Sequence, residues 1–327
     1  MIKKTDIAID FIKKYQDKNG VSKISKTKIG EMLYLAYPDL FKDAEVGRSF
    51  VRQATGSKGN HHRKVMKTKI EWNGFKLPKP EKNDYSKVIV NQKRIVILSD
   101  IHFPYYDQAA LNAAISFSID WNPDCIILNG DIIDCYHLSN FEKDKRQRSF
   151  KYELDMLKNF FIQLRELFPD ARIIYKIGNH EERYEKQILS NIPELIELEY
   201  FAFENVIQAK EYGIEVVKGK RVIRVGKLNV IHGHELPRGM AAPVNPARGF
   251  FLRTKASTIG GHHHQTSEHI ESDLNGNIIG AFSTGCLCEL NPHYMPINKW
   301  NHGFAVVENT GGDYMVRNIK IIKGRIL

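Results

Sequence analysis

Residues 125–134 read CIILNGDIID, an apolar run that stops at a glycine and then presents Asp131 and Asp134. Five residues rich in isoleucine and bounded by glycine are typical of a buried β-strand. Ligands of layered α/β proteins gather where the strands end. The stretch therefore predicts a strand that delivers two carboxylates to a binding edge.

The same design recurs on both sides of this stretch. Residues 94–99 form a β-branched run that leads into Asp100 and His102, and residues 172–177 lead into Asn179 and His180. Helical stretches at 111–121 and 150–168 separate the three runs. Strands that alternate with helices predict an α/β fold, a sheet layered with helices.

Two histidine clusters follow farther along the chain. Residues 228–231 lead to His232-Gly233-His234, and Gly261 precedes three consecutive histidines. The candidate metal ligands thus come from five segments: Asp100, His102, Asp131, Asn179, His232, His262 and His264. A mixture of oxygen and imidazole ligands suits borderline divalent ions such as Mn, Fe or Zn better than calcium.

These five blocks, in this order, resemble the calcineurin-like metallophosphoesterase superfamily, and they span about residues 94–264. A single block would be a weak signal, whereas five in order are specific. The resemblance implies a metallophosphoesterase-type β-sandwich flanked by helices, with two metal ions at the strand ends. The C-terminal strands are expected to complete the same domain.

The resemblance also implies how the ligands divide. Asp100, His102, Asp131 and His264 would surround one metal, and Asp131 would bridge to a second metal that is also held by Asn179, His232 and His262. A bridging carboxylate offsets the repulsion between two cations, and a water between them loses proton affinity. We expect a dimetal-activated hydroxide as the nucleophile. Manganese is the expected metal, with Fe, Zn or Ni as alternatives.

Three further residues complete the implied catalytic site. By the same resemblance, His180 faces the leaving oxygen or a non-bridging oxygen, and Asp134 orients it. A neighbouring carboxylate favours the imidazolium, which can protonate a poor alkoxide leaving group. Arg183 follows His180 by one helical turn and is expected to meet a phosphate oxygen.

The sequence also indicates roles for two other histidines and for the four cysteines. His234 is expected to support a ligand or contact the substrate, or else to compete with His232 as a ligand. We prefer His232 because, in the family, the ligand follows the strand and precedes glycine. His263 lies between two candidate ligands and is expected to point away. The four cysteines form no CxxC pair and are expected to be reduced core thiols.

Composition narrows the class of protein. The chain has 327 residues, 42% of them hydrophobic and 26% charged, which excludes a disulfide-stapled mini-protein and wholesale disorder. It contains no run of 18 apolar residues, and Asp6 and Asp10 interrupt the start before a secretory core can form. We expect a cytoplasmic protein with no membrane partner.

The basic excess lies at the N-terminus. Residues 1–94 hold 22 lysines and arginines against 10 acidic residues, whereas the rest of the chain holds 26 against 28. Three helical patterns within residues 1–55 predict a small basic helical domain, compatible with a helix-turn-helix and equally with an ordinary three-helix appendage. Residues 56–93 resemble a basic linker, and residues 94–327 are assigned to the metallophosphoesterase catalytic domain.

The sequence indicates the class of substrate only in part. Protein phosphatases of this superfamily extend the second block to GDxxDRG, but Cys135 and Tyr136 stand in those places here. Arg238, Arg248 or Arg253 could replace the missing arginine. Our first hypothesis is a phosphodiesterase or nuclease whose residues 1–93 bind nucleic acid. The alternatives are a phosphoesterase of nucleotides or cyclic nucleotides, and a catalytically silent nucleic-acid-binding protein.

Overall fold

The computed structural model describes residues 3–18, 21–57, 74, 77–139, 149–237 and 244–327. The chain divides into two compact units, Met1–Glu81 and Lys82–Leu327. Among the described residues, no helix is both long enough and apolar enough to cross a bilayer.

The described part of the N-terminal unit is helical, in agreement with the prediction. It contains α1 (Lys4–Lys13), α2 (Lys26–Ala36) and α3 (Ala44–Ala54). The side chain of Asp43 accepts a hydrogen bond from the Val46 amide at 2.8 Å and so caps α3. Seven residues join α2 to α3, more than the three or four of a usual helix-turn-helix turn. The helix-turn-helix interpretation stays a prediction.

Two glycines let α2 and α3 approach closely. A Cβ atom on Gly47 would lie 2.4 Å from the carbonyl oxygen of Gly30, and one on Gly30 would lie 2.7 Å from the Cα of Arg48. The helices enclose a small apolar core, which includes Ile12, Ile29, Leu33, Phe41 and Val51.

The larger unit alternates strands and helices. Its helices are α4 (Gln108–Trp121), α5 (Phe150–Leu167), α6 (Glu182–Asn191), α7 (Phe203–Val206) and α8 (Pro246–Thr254). Its strands are β1 (Val88–Val90), β2 (Arg94–Leu98), β3 (Cys125–Asn129), β4 (Arg172–Lys176), β5 (Ile214–Val217), β6 (Ile223–Val225), β7 (Leu228–Val230), β8 (Thr258–Gly260), β9 (Ser267–Ser272), β10 (Ile278–Ser283), β11 (His302–Asn309), β12 (Tyr314–Ile322) and β13 (Arg325–Ile326).

The described strands form two sheets, in agreement with the predicted sandwich. One has the order β13-β12-β11-β2-β3-β4-β5, and the other has the order β1-β6-β7-β8-β10-β9. In β2, Val96 and Leu98 belong to the core beneath the helices, whereas Ile95 and Ile97 belong to the core shared with the second sheet. Because both faces are buried from Ile95 to Leu98, the strand is apolar over those four residues.

The predicted linker differs from the structure at its end. Val88–Val90 is a strand that pairs in parallel with β6, so the larger unit begins before residue 94. Its valine-isoleucine-valine sequence is suited to a strand, but three residues are too few to be separated from a linker by pattern. Residues 58–73, which hold five of the ten lysines and arginines of the predicted basic linker, lie outside the described residues.

Candidate metal centre

The sheet brings the predicted ligands to one edge. Strands β2, β3 and β4 are parallel neighbours, so their carboxyl ends lie side by side. Five candidate ligands directly after strands have positive φ angles between 52° and 68°: Asp100, His102, Asp131, His262 and His264. Such conformations are uncommon for residues other than glycine and cluster at functional sites.

The first group of ligands surrounds His264. Its Nε2 lies 3.2 Å from Oδ1 of Asp100 and 3.3 Å from Nε2 of His102. Nε2 of His102 in turn lies 3.9 Å from Oδ2 of Asp131. The four residues implied for one metal are therefore in mutual reach.

The second group lies on the other side of the same aspartate oxygen. Nε2 of His232 lies 3.3 Å from Oδ2 of Asp131 and 3.2 Å from Oδ1 of Asn179. His262 offers a ring nitrogen within 4.8 Å of ligand atoms from Asp131 and His232. Asp131 is thus shared by both groups, which is the position of a bridging carboxylate.

The donor atoms fit divalent cations. Two imidazole nitrogens face each other at 3.3 Å beside carboxylates, and Nδ1 of His262 is buried without a hydrogen-bond partner among the described residues. Buried polar groups are ordinarily satisfied, so converging lone pairs of this kind suit metal ions. The mixed oxygen and nitrogen set favours a borderline ion.

Protonation of the metal-free site supports the same conclusion. Burial alone lowers the pKa of His232, but the Asp131 carboxylate outweighs this effect and raises that pKa to about 10. Burial likewise lowers the pKa of His264, but the Asp100 carboxylate outweighs burial and raises that pKa to about 10. The carboxylates of the site therefore favour bound positive charge, which either protons or metal ions can supply.

The candidate catalytic dyad of His180 and Asp134 has an additional neighbour, His102. Oδ1 of Asp134 lies 3.1 Å from Nδ1 of His180 and 2.9 Å from Nδ1 of His102. Nδ1 of His180 also lies 2.8 Å from the carbonyl oxygen of Asp134, so the main chain and the carboxylate of Asp134 together orient this candidate catalytic residue. The carboxylate orients the candidate ligand His102 as well, which the sequence did not predict. Burial lowers the pKa of His180, but the charge of Asp131 and the hydrogen bond to Asp134 outweigh it, and the pKa is raised.

Arg183 lies directly beside His180. Its Nη1 donates to the carbonyl oxygen of Asp134 at 2.9 Å, and its Nη2 lies 3.0 Å from Nε2 of His180. Because a guanidinium only donates, Nε2 of His180 accepts and the ring proton is on Nδ1. In this arrangement His180 is neutral and its Nε2 has no proton to give.

Two buried glutamates hold the loops that follow β3 and β4. The sequence pattern did not predict this role for either residue. Glu181 accepts hydrogen bonds from the amides of residues 131, 132, 133 and 178 and from the Tyr175 hydroxyl. Glu153 accepts from the amides of Cys135 and Tyr136 at 2.6 and 3.1 Å. Glu181 directly follows Asn179 and His180 in the sequence, but its simplest interpretation there was a helix cap. No sequence pattern near Glu153 indicated that it contacts this loop.

The other histidines are also placed. Nε2 of His234 lies 2.9 Å from Oε1 of Glu182, and the ring of His263 packs against Phe250. The preference for His232 and the omission of His263 stay predictions. Arg248 and Arg253 lie on α8, and Arg238 lies outside the described residues.

Comparison with known proteins identifies the family to which this geometry corresponds. The sequence model of the calcineurin-like phosphoesterases matches residues 93–282. The Gene 54 protein of Mycobacterium phage L5 is 26% identical over 245 residues, which cover 71% of this chain and 95% of the phage protein.

Among solved structures, Vps29 of Entamoeba histolytica complexed with Zn²⁺ has a TM-score of 0.37 and 10% identity, over 72% of this chain and 96% of that chain. A dimetal phosphatase of Danio rerio has a TM-score of 0.36 and 12% identity, over 72% of this chain and 98% of that chain.

Proposed function

Because the chain belongs to the calcineurin-like phosphoesterase family, whose chemistry is metal-dependent phosphoester hydrolysis, we propose that it is a phosphodiesterase or nuclease that acts on nucleic acid. The family membership supports the hydrolysis of a phosphoester. The nucleic-acid substrate rests on a different observation, the basic helical unit that precedes the catalytic unit.

Seven side chains would hold two divalent cations, with Asp131 between them: Asp100, His102, Asp131, Asn179, His232, His262 and His264. When bound, the cations would lower the pKa of a water shared between them and offset charge on the phosphoryl oxygens. The mixed donor set favours manganese, iron, zinc or nickel.

Arg183 would bind the phosphate of the substrate, and His180 would protonate its leaving oxygen. Arg183 is a charged donor beside the site, so a phosphate oxygen can compete with Nε2 of His180 for its Nη2. Once Arg183 turns to the phosphate, Nε2 of His180 can hold the proton that the leaving oxygen needs. Asp134 stabilises that imidazolium through Nδ1.

The N-terminal unit supports nucleic acid as the substrate. Residues 1–81 hold 18 lysines and arginines against 9 acidic residues, an excess of 9 positive charges by formal count. Arg48 and Arg52 lie on α3, both partly exposed, and each is within 4 Å of a Glu45 carboxylate oxygen. Exposed ion pairs of this kind are weak, so phosphates can replace Glu45 as the partner.

A binding and cleavage assay tests this proposal. The full chain with Mn²⁺ is given single- and double-stranded DNA and RNA, and affinity is measured between 50 and 200 mM salt. We expect metal-dependent cleavage and an affinity that falls steeply with salt. The R48A/R52A variant should bind more weakly, whereas the matched K151A/K227A variant of the larger unit should not.

Two results would contradict the proposal. Salt-insensitive or absent binding would remove nucleic acid as the substrate. Hydrolysis of nucleotides or cyclic nucleotides with no cut polymer would favour the small-molecule phosphoesterase instead. Because β1 belongs to the larger unit, a truncated chain for these assays should begin at Lys82.

A further inference from the structure

Two aromatic side chains lie beside the metal centre without a part in the chemistry described above. The indole of Trp300 packs against the imidazole of His264 with ring centroids 4.1 Å apart. The ring of Tyr294 meets Trp300 edge-on at 6.3 Å. We call these two residues the aromatic shelf.

The loop that carries the shelf is held in place by its own amide side chains. Nδ2 of Asn298 donates to the carbonyl oxygens of Leu290 and Met295 at 2.6 and 2.8 Å. Its Oδ1 accepts from the amide of Trp300 at 2.8 Å. The shelf is therefore pre-organised, and a ligand would not have to order this loop.

Tyr294 is largely open to solvent. The residue is 68% exposed. Its ring meets Trp300, which packs on His264, so Tyr294 lies near the centre. Burial and the charge of Asp134 raise the pKa of Tyr294, which agrees with that position.

An exposed tyrosine, supported from behind by a tryptophan, is suited to a flat π system. Nucleobases stack on such rings with little dependence on sequence. Trp300 connects this tyrosine to the candidate ligand His264, with ring centroids 6.3 Å and 4.1 Å apart. A base attached through its sugar to a phosphate at the centre would then lie within reach of the ring.

We propose that Tyr294, supported by Trp300, stacks the nucleobase adjacent to the scissile phosphate. The inference rests on the proposed function and narrows it to substrates in which a nucleoside flanks the phosphodiester. Tyr294 would act on substrate binding and not on the chemical step.

Two esters with the same leaving group test the shelf. Thymidine 5′-(4-nitrophenyl phosphate) carries a base, whereas methyl 4-nitrophenyl phosphate does not. With the full chain and Mn²⁺, we expect kcat/KM to favour the thymidine ester, through KM, by roughly tenfold or more. Y294A should lower this ratio about tenfold, Y294F should keep it, and Y85A, which removes a tyrosine of 67% exposure, should leave it unchanged.

Three outcomes would overturn the proposed stacking on Tyr294. They are a wild-type protein that cleaves both esters without preference, a Y294A variant with an unaltered ratio, and a Y294A variant that loses activity on both esters equally. In each of these cases the diesterase proposal still stands, because both esters are cleaved.

A binding measurement decides the question even if neither ester is cleaved, in which case the diesterase proposal fails. Calorimetry on the H180A background, chosen for slow turnover, compares adenosine 5′-monophosphate with ribose 5-phosphate. Binding of the nucleotide at least about tenfold more tightly, with the difference lost in H180A/Y294A, supports the shelf. Equal binding of the two ligands overturns it.

Discussion

At the scale of single residues, Asp134 has more than one function. Its Oδ1 contacts the Nδ1 atoms of both His102 and His180, so one carboxylate fixes the orientation of a candidate ligand and of the candidate acid. Carboxylates behind ligating histidines commonly set ring orientation and basicity. The effect of replacing Asp134 should therefore exceed that of losing a single hydrogen bond.

We predict that D134N lowers kcat by about a hundredfold or more, with a smaller change in KM. Asp134 helps to raise the pKa of His180, so the variant lowers that pKa. Activity that needs the imidazolium is then lost at a lower pH, and the basic limb of the rate profile moves toward acid. A kcat–pH profile of both proteins on a dinucleotide, whose alkoxide leaving group needs the proton, measures this shift; an unmoved basic limb would contradict the role assigned to Asp134.

His180 itself gives a second prediction at this scale. H180A should lower kcat on a poor alkoxide leaving group by about 10² to 10⁴, because such a group needs a proton. An ester of p-nitrophenol, which leaves readily as an anion, should lose much less. Steady-state kinetics on a dinucleotide and on bis-p-nitrophenyl phosphate compare the two cases, and equal losses would refute the acid role.

At the scale of secondary-structure elements, the contact between α2 and α3 depends on two glycines. We predict that G47A destabilises the N-terminal unit by about 1–3 kcal/mol, because its Cβ would press on a backbone carbonyl that cannot move aside. Thermal unfolding followed by circular dichroism measures the effect. G74A, at a glycine with open space but a positive φ, is the control for glycine loss without a clash.

The link between α5 and the loop after β3 gives a prediction about pH. Burial, followed by the charge of Asp134, raises the pKa of Glu153 to about 8. The unfolded chain releases this proton near pH 4.5, so folding stability falls as the pH rises from about 5 to 8. The stability of wild type relative to E153Q should therefore decline over this range, by on the order of 3 kcal/mol.

Thermal unfolding of both proteins at several pH values measures that decline. Unfolding free energies of wild type and E153Q that run parallel between pH 5 and 8 would mean that Glu153 is already ionised in the folded protein. In that case its two backbone hydrogen bonds, which favour the carboxylate, would outweigh the burial that disfavours it.

At the scale of the whole molecule, metal binding should stabilise only the unit that holds the centre. A ligand at 100 to 1,000 times its Kd contributes roughly 3–4 kcal/mol. We predict that a chelator lowers the Tm of the larger unit by about 5–15 °C and that Mn²⁺ restores it. The unfolding of α1–α3 should not respond. Calorimetry with and without metal measures both transitions; a Tm of the larger unit that chelation leaves unchanged would argue against the site.

The sequence by itself determined the class of fold and the candidate ligands of the centre. Strands such as residues 125–129 are apolar up to their last residue because both of their faces are buried, and that pattern is visible without coordinates. Ligands that directly follow such strands are visible for the same reason. The order of the five blocks then indicated the family, to which the match over residues 93–282 assigns the chain.

Only the tertiary structure decided which residues support that centre. Glu153 contacts a loop 17 residues away in sequence, and Trp300 packs on a histidine 36 residues away, so neither partnership has a local pattern. The same holds for the second histidine of Asp134 and for Val88–Val90, whose partner β6 lies more than 130 residues downstream. Local sequence encodes which face of an element is buried, whereas the packing of distant elements decides what each buried or exposed group contacts.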